Sequence, residues 1–317
     1  MTITDNQHLT QRNANLDLPP LFAEWMRLWD LEEILAPILH TSVTWVKRCS
    51  PPNASPEDIA IACMDLTLWF FYLDDFLKED YNIVFEKCSK ILDGYQPTSD
   101  EPKLFHAYAD IINRVAQRGY NMQYYLQTRQ DNLQYRVKFA QQRFHGGMNE
   151  NKLSFNEYFE IRQTTIAIWN WLALWEILGN FYLSPLERTM PDVKRAVMAV
   201  SSAHFLDNDL VSVARDIKER TPNLVILYME QYGVDIVSSA QCIKELFQKE
   251  VNNFQHLLSK LVLNASSSDQ IRQYFQFLEL ILNYVTTPGM GENDNPDRYS
   301  SNLELAVIAY NQAQEKL

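Results

Sequence analysis

The sequence predicts an all-α protein, and its sparing use of the two helix-breaking residues is the main reason. Glycine accounts for only 8 of the 317 residues, whereas average usage would give about 22. Proline is absent from residues 103–184 and again from residues 223–287. Because helix interiors exclude both residue types, these long stretches favour helices. No internal repeat or change in composition divides the chain, so we expect a flexible polar leader over residues 1–18 and one helical domain over residues 19–317.

The expected helices follow from breakers and caps along the chain. An amphipathic helix is expected from Leu21 to about Arg48, and a proline-rich loop follows it. Ser55-Pro56-Glu57-Asp58 has the order of cap, proline and acids that starts a helix, and this helix would carry the apolar run of residues 66–73. Later helical stretches are expected at about 104–147, 154–180, 192–219, 230–263 and 269–286, with loops at 93–103 and 286–296.

Charge and cysteine usage argue against some classes of function. A net charge of −12 and a pI near 5.0 count against a nucleic-acid partner, which would require a basic face, and indicate a soluble surface. The four cysteines show no C-x-x-C spacing, so we expect reduced, structural thiols. Residues 1–8 lack the apolar core of a secretory signal, and the most apolar later run, residues 166–175, is too short to span a bilayer. We therefore expect a cytoplasmic protein with no membrane span.

Three oxygen-bearing side chains recur at four-residue intervals in the predicted helix 192–219. Asn208, Ser212 and Asp216 drift by only about 80° in total around a helix, so they share one face. An amide oxygen, a hydroxyl and a carboxylate are hard donors of the kind that Mg²⁺ prefers, often together with substrate phosphates. The alternative is a polar, solvated helix face. Asn and Ser are mediocre helix formers, however, and their placement in mid-helix favours a functional reason.

A second group of acids follows the apolar run of residues 66–73. Asp74 and Asp75 are adjacent, and Glu79 lies one helical turn after Asp75. A solvated helix end would explain them equally simply. If the preceding helix is buried nearly all round, however, its acids emerge at the edge of a cavity. The two acidic and polar segments together predict a metal–diphosphate site above a hydrophobic cavity.

With these motifs the chain resembles a known family, the class I terpene synthases of bacterial type. Asp74-Asp75-x-x-x-Glu79 resembles the family's aspartate-rich motif, with Lys78 at a position where many members have an acid. Residues 208–216 resemble its Asn-Asp-Leu-x-Ser-x-x-x-Glu metal motif, with Asp216 replacing the glutamate. Two further matches are an arginine 46 residues before the second motif and an Arg-Tyr pair near the C-terminus, namely Arg162, Arg298 and Tyr299.

The resemblance implies a helical bundle with a central active-site cavity and a role for each matched residue. Three Mg²⁺ ions would be bound by Asp74, Glu79, Asn208, Ser212 and Asp216, with Asp75 as the second acid of the first motif. Arg162, Arg215, Arg298 and Tyr299 would bind the diphosphate, and Arg162, Arg298 and Tyr299 would act in catalysis. The cavity would be lined by Phe70, Phe71, Ile166 and Trp171.

Simpler explanations exist for several of these residues. Arg162 could be a surface cation, Arg215 could pair with Glu219 at i,i+4, and Arg298 with Tyr299 could form a capping pair. Phe70, Phe71 and Trp171 could be ordinary core. Many bacterial relatives also have an aromatic residue six positions before the Arg-Tyr pair, where this chain has Glu292.

The resulting hypothesis is a class I terpene synthase that cyclises an acyclic prenyl diphosphate, with farnesyl diphosphate favoured and geranylgeranyl diphosphate as the alternative. A homodimer is left open. A chain-elongating prenyltransferase would show a second aspartate-rich motif in place of the Asn/Ser/Asp triplet. A non-catalytic helical binding protein would not need these motifs in this order. The six histidines contain no H-x-x-x-H pair for zinc, and no Gly-rich phosphate loop or G-x-S-x-G nucleophile motif occurs.

Overall fold

The computed structural model describes residues 16–68, 81–119, 122–145, 153–263, 268–287 and 302–314. Within these residues the chain forms helices and no strand, which confirms the all-α prediction. The helices are α1 Pro20–Leu28, α2 Glu32–Leu35, α3 Leu39–Arg48, α4 Pro56–Asp65, α5 Tyr81–Leu92, α6 Lys103–Ala116, α7 Met122–His145, α8 Phe155–Thr165, α9 Ile168–Leu178, α10 Pro185–Thr189, α11 Pro191–Glu219, α12 Leu224–Tyr232, α13 Ile236–Leu263, α14 Asp269–Thr286 and α15 Leu303–Gln314.

Contacts divide the chain into two compact units. One contains Met1–Leu133 with Asn170–Tyr182, and the other contains Gln134–Trp169 with Leu183–Leu317. The expectation of one domain over residues 19–317 therefore stays a prediction, and most of the expected leader lies outside the described residues.

The first unit is built around tryptophan side chains and one buried ion pair. Trp171 and Trp175 meet edge to face, with ring centroids 5.7 Å apart. Arg129 donates a hydrogen bond to the Asp65 carboxylate, and both side chains are fully buried. The Tyr125 hydroxyl donates to the other carboxylate oxygen over 3.1 Å. Burial raises the pKa of Asp65, and the charge of Arg129 opposes that rise. The pair joins the end of α4 to the middle of α7.

The second unit is organised around α11, a helix of 29 residues. At 1.5 Å per residue such a helix is roughly 43 Å long. It packs against α8, α12, α13, α14 and α15. The buried apolar side chains of this cluster include Tyr158, Phe205, Val213 and Leu224. A long central helix with neighbours on several sides explains why Ala and Ser occupy many of its buried positions.

Local signals predicted some helix boundaries correctly. The Ser55 hydroxyl accepts from the Asp58 backbone N–H, and the Asp58 carboxylate accepts from the Ser55 backbone N–H, so α4 begins with a capping box. The expected helices 192–219 and 269–286 correspond to α11 and α14. These boundaries are encoded by neighbouring residues, which is why they can be read from the sequence.

Other expected helices were too long. The expected helix 21–48 is divided into α1, α2 and α3, with Asp30 in the left-handed region at φ 53°. The expected helix 104–147 is interrupted where Gly119 adopts φ +88°, which glycine does without steric cost. The stretch 154–180 is broken at Ala167, and α12 precedes the expected start at residue 230.

All four cysteines are free thiols, and Cys49, Cys63 and Cys88 are buried. Burial raises the pKa of Cys63 to about 12, so this thiol stays protonated at neutral pH. Among the helices in the described part of the chain, none has the length and apolar character needed to cross a membrane.

Candidate metal and diphosphate site

The predicted triplet lies on α11 as its spacing required. Ser212 and Asp216 are buried, and Asn208 is half-buried. The Ser212 hydroxyl donates to Asp216 Oδ2 over 2.6 Å, so these two side chains are in direct contact one turn apart. The shared face predicted from periodicity is therefore present in the helix.

Arg162 on α8 contacts α11 at Asn208 and Asp209. Its guanidinium donates to Asn208 Oδ1 over 2.9 Å and to Asp209 Oδ1 over 3.1 Å. Its side chain is only 11% exposed, so the explanation as a surface cation is wrong. Residues 46 positions apart in sequence thus form one polar cluster, which a cation–amide–carboxylate contact holds together.

Asp209 is a member of this cluster to which sequence reasoning assigned no role. Its Oδ2 accepts from the Leu224 backbone N–H over 2.9 Å, at the first turn of α12. Burial raises the pKa of Asp209, and the neighbouring Arg162 charge opposes that rise. Asp209 follows Asn208 by one position on the helix, so the Asp209 side chain is rotated by about 100° from the triplet face. The helical repeat does not say which helix a side chain faces, so only the packing of α8 against α11 shows that Asp209 supports Arg162.

The Asp216 carboxylate is surrounded by donors. Arg215 Nε and an Arg215 terminal nitrogen donate to Oδ1 over 2.9 and 2.6 Å. Oδ2 accepts from Ser212 and, over 2.9 Å, from Asn223 Nδ2. Asn223 is a second residue that sequence reasoning missed, because it lies beyond the end of α11 in the connection to α12.

The chain breaks its helix immediately after Arg162. α8 ends at Thr165, and Ala167 adopts φ 68° before α9 starts at Ile168. A left-handed conformation is uncommon for a residue with a Cβ and is maintained only where surrounding contacts require it. The Arg136 guanidinium donates to the Thr165 carbonyl over 3.3 Å. Ile166, which the resemblance implied would line the cavity, lies within this interruption.

Trp171 lies in the other unit and makes mainly packing contacts. Its indole N–H donates to the Cys49 carbonyl over 3.1 Å, and its ring meets Trp45 edge to face at 4.6 Å. The side chain is 1% exposed. These contacts also fit the explanation as ordinary core, so its cavity role stays a prediction.

The seven remaining predicted site residues lie outside the described residues: Phe70, Phe71, Asp74, Asp75, Glu79, Arg298 and Tyr299. Their assignments stay predictions.

The described part of the site fits one half of a Mg²⁺ site. Its donors are amide, hydroxyl and carboxylate oxygens, which suit a hard cation. In the described ranges there is no cluster of three or more His, Cys, Asp or Glu that would bind a metal alone. Asp216 supplies the single carboxylate of the triplet. A site of this composition needs further anionic oxygen ligands from elsewhere in the chain or from a substrate.

The all-α fold and the Asn/Ser/Asp triplet on one face of a long helix agree with the resemblance to the class I terpene synthases. The sequence profile described as "Terpene synthase family 2, C-terminal metal binding" matches residues 65–253, which is more than half of the chain. The chain belongs to this family and is a class I terpene synthase, a lyase that acts on a prenyl diphosphate. The family description is also consistent with a divalent metal cofactor.

Individual relatives agree with this membership. A (2E,6E)-farnesyl diphosphate-cyclising (+)-corvol ether B/(+)-corvol ether A synthase of Kitasatospora setae is 21% identical over 236 residues, which are 71% of this chain and 72% of that protein. Germacrene A synthase of Nostoc punctiforme is 23% identical over 240 residues, which are 70% of this chain and 71% of that protein.

Solved structures are similar in fold. The linalool/nerolidol synthase of Streptomyces clavuligerus matches with a TM-score of 0.74 at 19% identity and covers 90% of this chain and 95% of its own. The 2-methylisoborneol synthase of Streptomyces coelicolor A3(2) matches with a TM-score of 0.69 at 14% identity, covering 89% and 93%. Their similarity supports the all-α assignment.

Proposed function

We propose that this terpene synthase uses Mg²⁺ to ionise an acyclic prenyl diphosphate and cyclises the resulting cation, with farnesyl diphosphate as the substrate. One observation carries the proposal. Arg162 on α8 bonds to Asn208 and Asp209 on α11, where Ser212 bonds to Asp216. Asn223 links these two groups by donating to the Asp209 carbonyl and to the Asp216 carboxylate. A purely structural arrangement would not require these residue types in the order that the family's motifs have.

Within this proposal each side chain has a task. Asn208, Ser212 and Asp216 bind metal from α11, while Asp74 and Glu79 bind metal from the first motif, with Asp75 beside them. Bound Mg²⁺, expected as three ions, supplies positive charge that offsets the charge of the departing diphosphate. Arg162, Arg215, Arg298 and Tyr299 donate hydrogen bonds to the diphosphate oxygens. Phe70, Phe71, Ile166 and Trp171 line the cavity and keep water from the cation.

Two related proteins support the finer parts of the proposal. The Kitasatospora setae relative cyclises farnesyl diphosphate. The solved 2-methylisoborneol synthase contains Mg²⁺ and geranyl-S-thiolodiphosphate. A further relative, the (12E)-labda-8(17),12,14-triene synthase of Streptomyces anulatus, is 24% identical and is the reason to keep geranylgeranyl diphosphate as the alternative.

The direct test is incubation with the C10, C15 and C20 diphosphates, with Mg²⁺ and with EDTA, followed by diphosphate quantification and product identification. We expect cyclic C15 hydrocarbons or alcohols with Mg²⁺ and no turnover with EDTA. Activity that persists in EDTA would overturn the metal assignment. Cyclic products from the C20 substrate alone would replace farnesyl diphosphate with the alternative.

Variants test the ligand assignments separately. Asn208→Ala and Asp74→Ala should each lose nearly all turnover, because each removes an oxygen donor that the substrate cannot replace. Lys194→Ala is the matched control, since Lys194 is exposed on the same helix as Asn208. If Asn208→Ala is as active as Lys194→Ala, the triplet is not a metal site.

A further inference from the structure

The Asp216 carboxylate accepts as many hydrogen bonds as it has acceptor sites. A carboxylate has about four lone-pair positions on its two oxygens. Arg215 occupies Oδ1 with two donors, and Ser212 and Asn223 each donate to Oδ2. A metal ion can therefore reach this carboxylate only if one of the donors leaves.

The donors differ in how readily they can leave. Arg215 is 24% exposed and is one of the residues proposed to contact the diphosphate, so its departure frees Oδ1. Ser212 can keep its hydrogen bond and still offer an oxygen lone pair to a cation, because a hydroxyl is both donor and acceptor. Asn223 is completely buried and belongs to neither the metal ligands nor the diphosphate ligands.

Asn223 is itself firmly positioned. Its Oδ1 accepts from the Val225 backbone N–H over 2.9 Å, which makes it the N-cap of α12. Its Nδ2 donates to the Asp209 carbonyl over 2.8 Å as well as to Asp216 Oδ2 over 2.9 Å. Because the amide oxygen accepts one hydrogen bond and the amide nitrogen donates two, these partners determine the orientation of the Asn223 amide.

The need for such an anchor follows from the residue at position 216. The family motif has a glutamate there, and aspartate is shorter by one carbon–carbon bond, about 1.5 Å. A shorter side chain has less freedom to adjust, so its oxygen must be directed by a neighbour. Hydrogen-bond partners of metal ligands commonly provide this orientation.

We propose that Asn223 is a positioning residue for the metal site: it holds Oδ2 of Asp216 so that Oδ1 is presented to the metal when Arg215 turns to the diphosphate. This role rests on the proposed function, because it requires that Asp216 binds metal. Asn223 touches neither substrate nor metal and acts through the Asp216 carboxylate.

The test compares Asn223→Ser with the parent protein. Serine is about as good an N-cap as asparagine, so α12 keeps its start, but its short hydroxyl does not reach Asp216 while it caps the helix. Mn²⁺ affinity is measured by electron paramagnetic resonance in the presence of inorganic diphosphate, together with thermal unfolding. We expect the affinity of Asn223→Ser to fall by about 10-fold or more, as is usual when the partner of a metal ligand is removed.

Ser239→Ala is the matched control for a merely structural effect. Ser239 is also fully buried, and its hydroxyl donates over 2.6 Å to the Val225 carbonyl in the first turn of α12. Its removal should lower the melting temperature and leave Mn²⁺ affinity within about two-fold of the parent, since its hydroxyl bonds to none of the ligand residues that the structure describes. An equal loss of affinity in both variants, or parent-like affinity in Asn223→Ser, would overturn the proposal.

A second experiment tests whether Asn223 compensates for the side chain at position 216 being one methylene shorter than glutamate. In the Asp216→Glu background, the longer side chain reaches without help, so Asn223→Ser should reduce Mn²⁺ affinity much less than it does in the parent. An undiminished effect in that background would reject this part of the proposal. A parent protein that releases no diphosphate and binds no Mn²⁺ with diphosphate would overturn the proposed function and the positioning role together. Normal turnover with unaffected Mn²⁺ binding in Asn223→Ser would overturn the positioning role alone.

Discussion

Replacing Arg162 by lysine tests the diphosphate assignment with the least change to the site. Lysine keeps the positive charge beside the buried Asp209 and removes the planar guanidinium, which binds phosphate oxygens at two points. Arg162→Lys therefore separates charge from hydrogen-bond geometry. One terminal nitrogen of Arg162 makes both contacts, 2.9 Å to Asn208 and 3.1 Å to Asp209, so a lysine ammonium in its place can keep them. It cannot offer a phosphate the two parallel N–H groups of the guanidinium fork.

The size of the effect follows from these contacts. A hydrogen bond to a charged group contributes about 1.5–3 kcal/mol. If one such bond to the diphosphate is lost in the transition state, kcat/KM falls by about 10- to 100-fold, because about 1.4 kcal/mol corresponds to a factor of ten. The assay is steady-state diphosphate release with Mg²⁺ saturating, and the expected change lies mainly in kcat.

A loss of stability could lower activity by itself, so a control on the same helix is needed. Ser154 is the N-cap of α8, and its hydroxyl accepts from the Glu157 backbone N–H over 3.2 Å. Ser154→Ala removes this cap at a cost of about 1 kcal/mol, and it lies about two turns from Arg162. Turnover of Arg162→Lys equal to that of the parent, or a loss no larger than that of Ser154→Ala at the same melting temperature, would refute a diphosphate contact.

Three further predictions concern residues in and around the two cores. Trp171→Leu should lower the free energy of unfolding by about 3 kcal/mol; where the variant is still folded, an altered product profile by gas chromatography would support its cavity role and an unchanged profile would assign it to the core. Burial lowers the pKa of His204 to about 4, so the unfolded chain gains this proton from about pH 6.5 downwards and the folded protein only near pH 4. As the pH falls from about 6.5 to about 4, the free energy of unfolding of the parent should therefore decrease by up to about 1.4 kcal/mol per pH unit because of His204. Urea unfolding at several pH values should show that this contribution is absent from His204→Gln. Arg129→Met should cost about 3–5 kcal/mol because it leaves the buried Asp65 uncompensated, and adding Asp65→Asn should recover part of that loss; strictly additive costs in urea unfolding would contradict the ion pair.

The helix starts that could be predicted from the sequence are those specified by neighbouring residues. Ser55, Pro56 and Asp58 specify the start of α4 through hydrogen bonds that span three positions. The face shared by Asn208, Ser212 and Asp216 follows in the same way from the helical repeat. Neither conclusion needs any knowledge of what packs against the helix.

The interruptions at Asp30 and Ala167 could not be read in this way. Both residues have a Cβ and adopt φ values of 53° and 68°, which their own conformational preferences disfavour. Such backbone conformations are imposed by contacts with distant parts of the chain, which outweigh local preference. The same limit explains why α12 was missed, since its cap Asn223 depends on Asp209 and Asp216 of the preceding helix.

For this protein, the sequence alone determined the helical class, the order of the motifs and the face on which the three oxygen donors lie, because all of these depend on residue type and on spacing within one helix. The tertiary structure decided that Arg162 contacts Asn208 and Asp209, and that Asn223 donates to the Asp216 carboxylate. Those contacts join residues that lie far apart in the sequence. The packing of whole helix faces brings such residues together, and the burial of these faces outweighs the preference of any single residue.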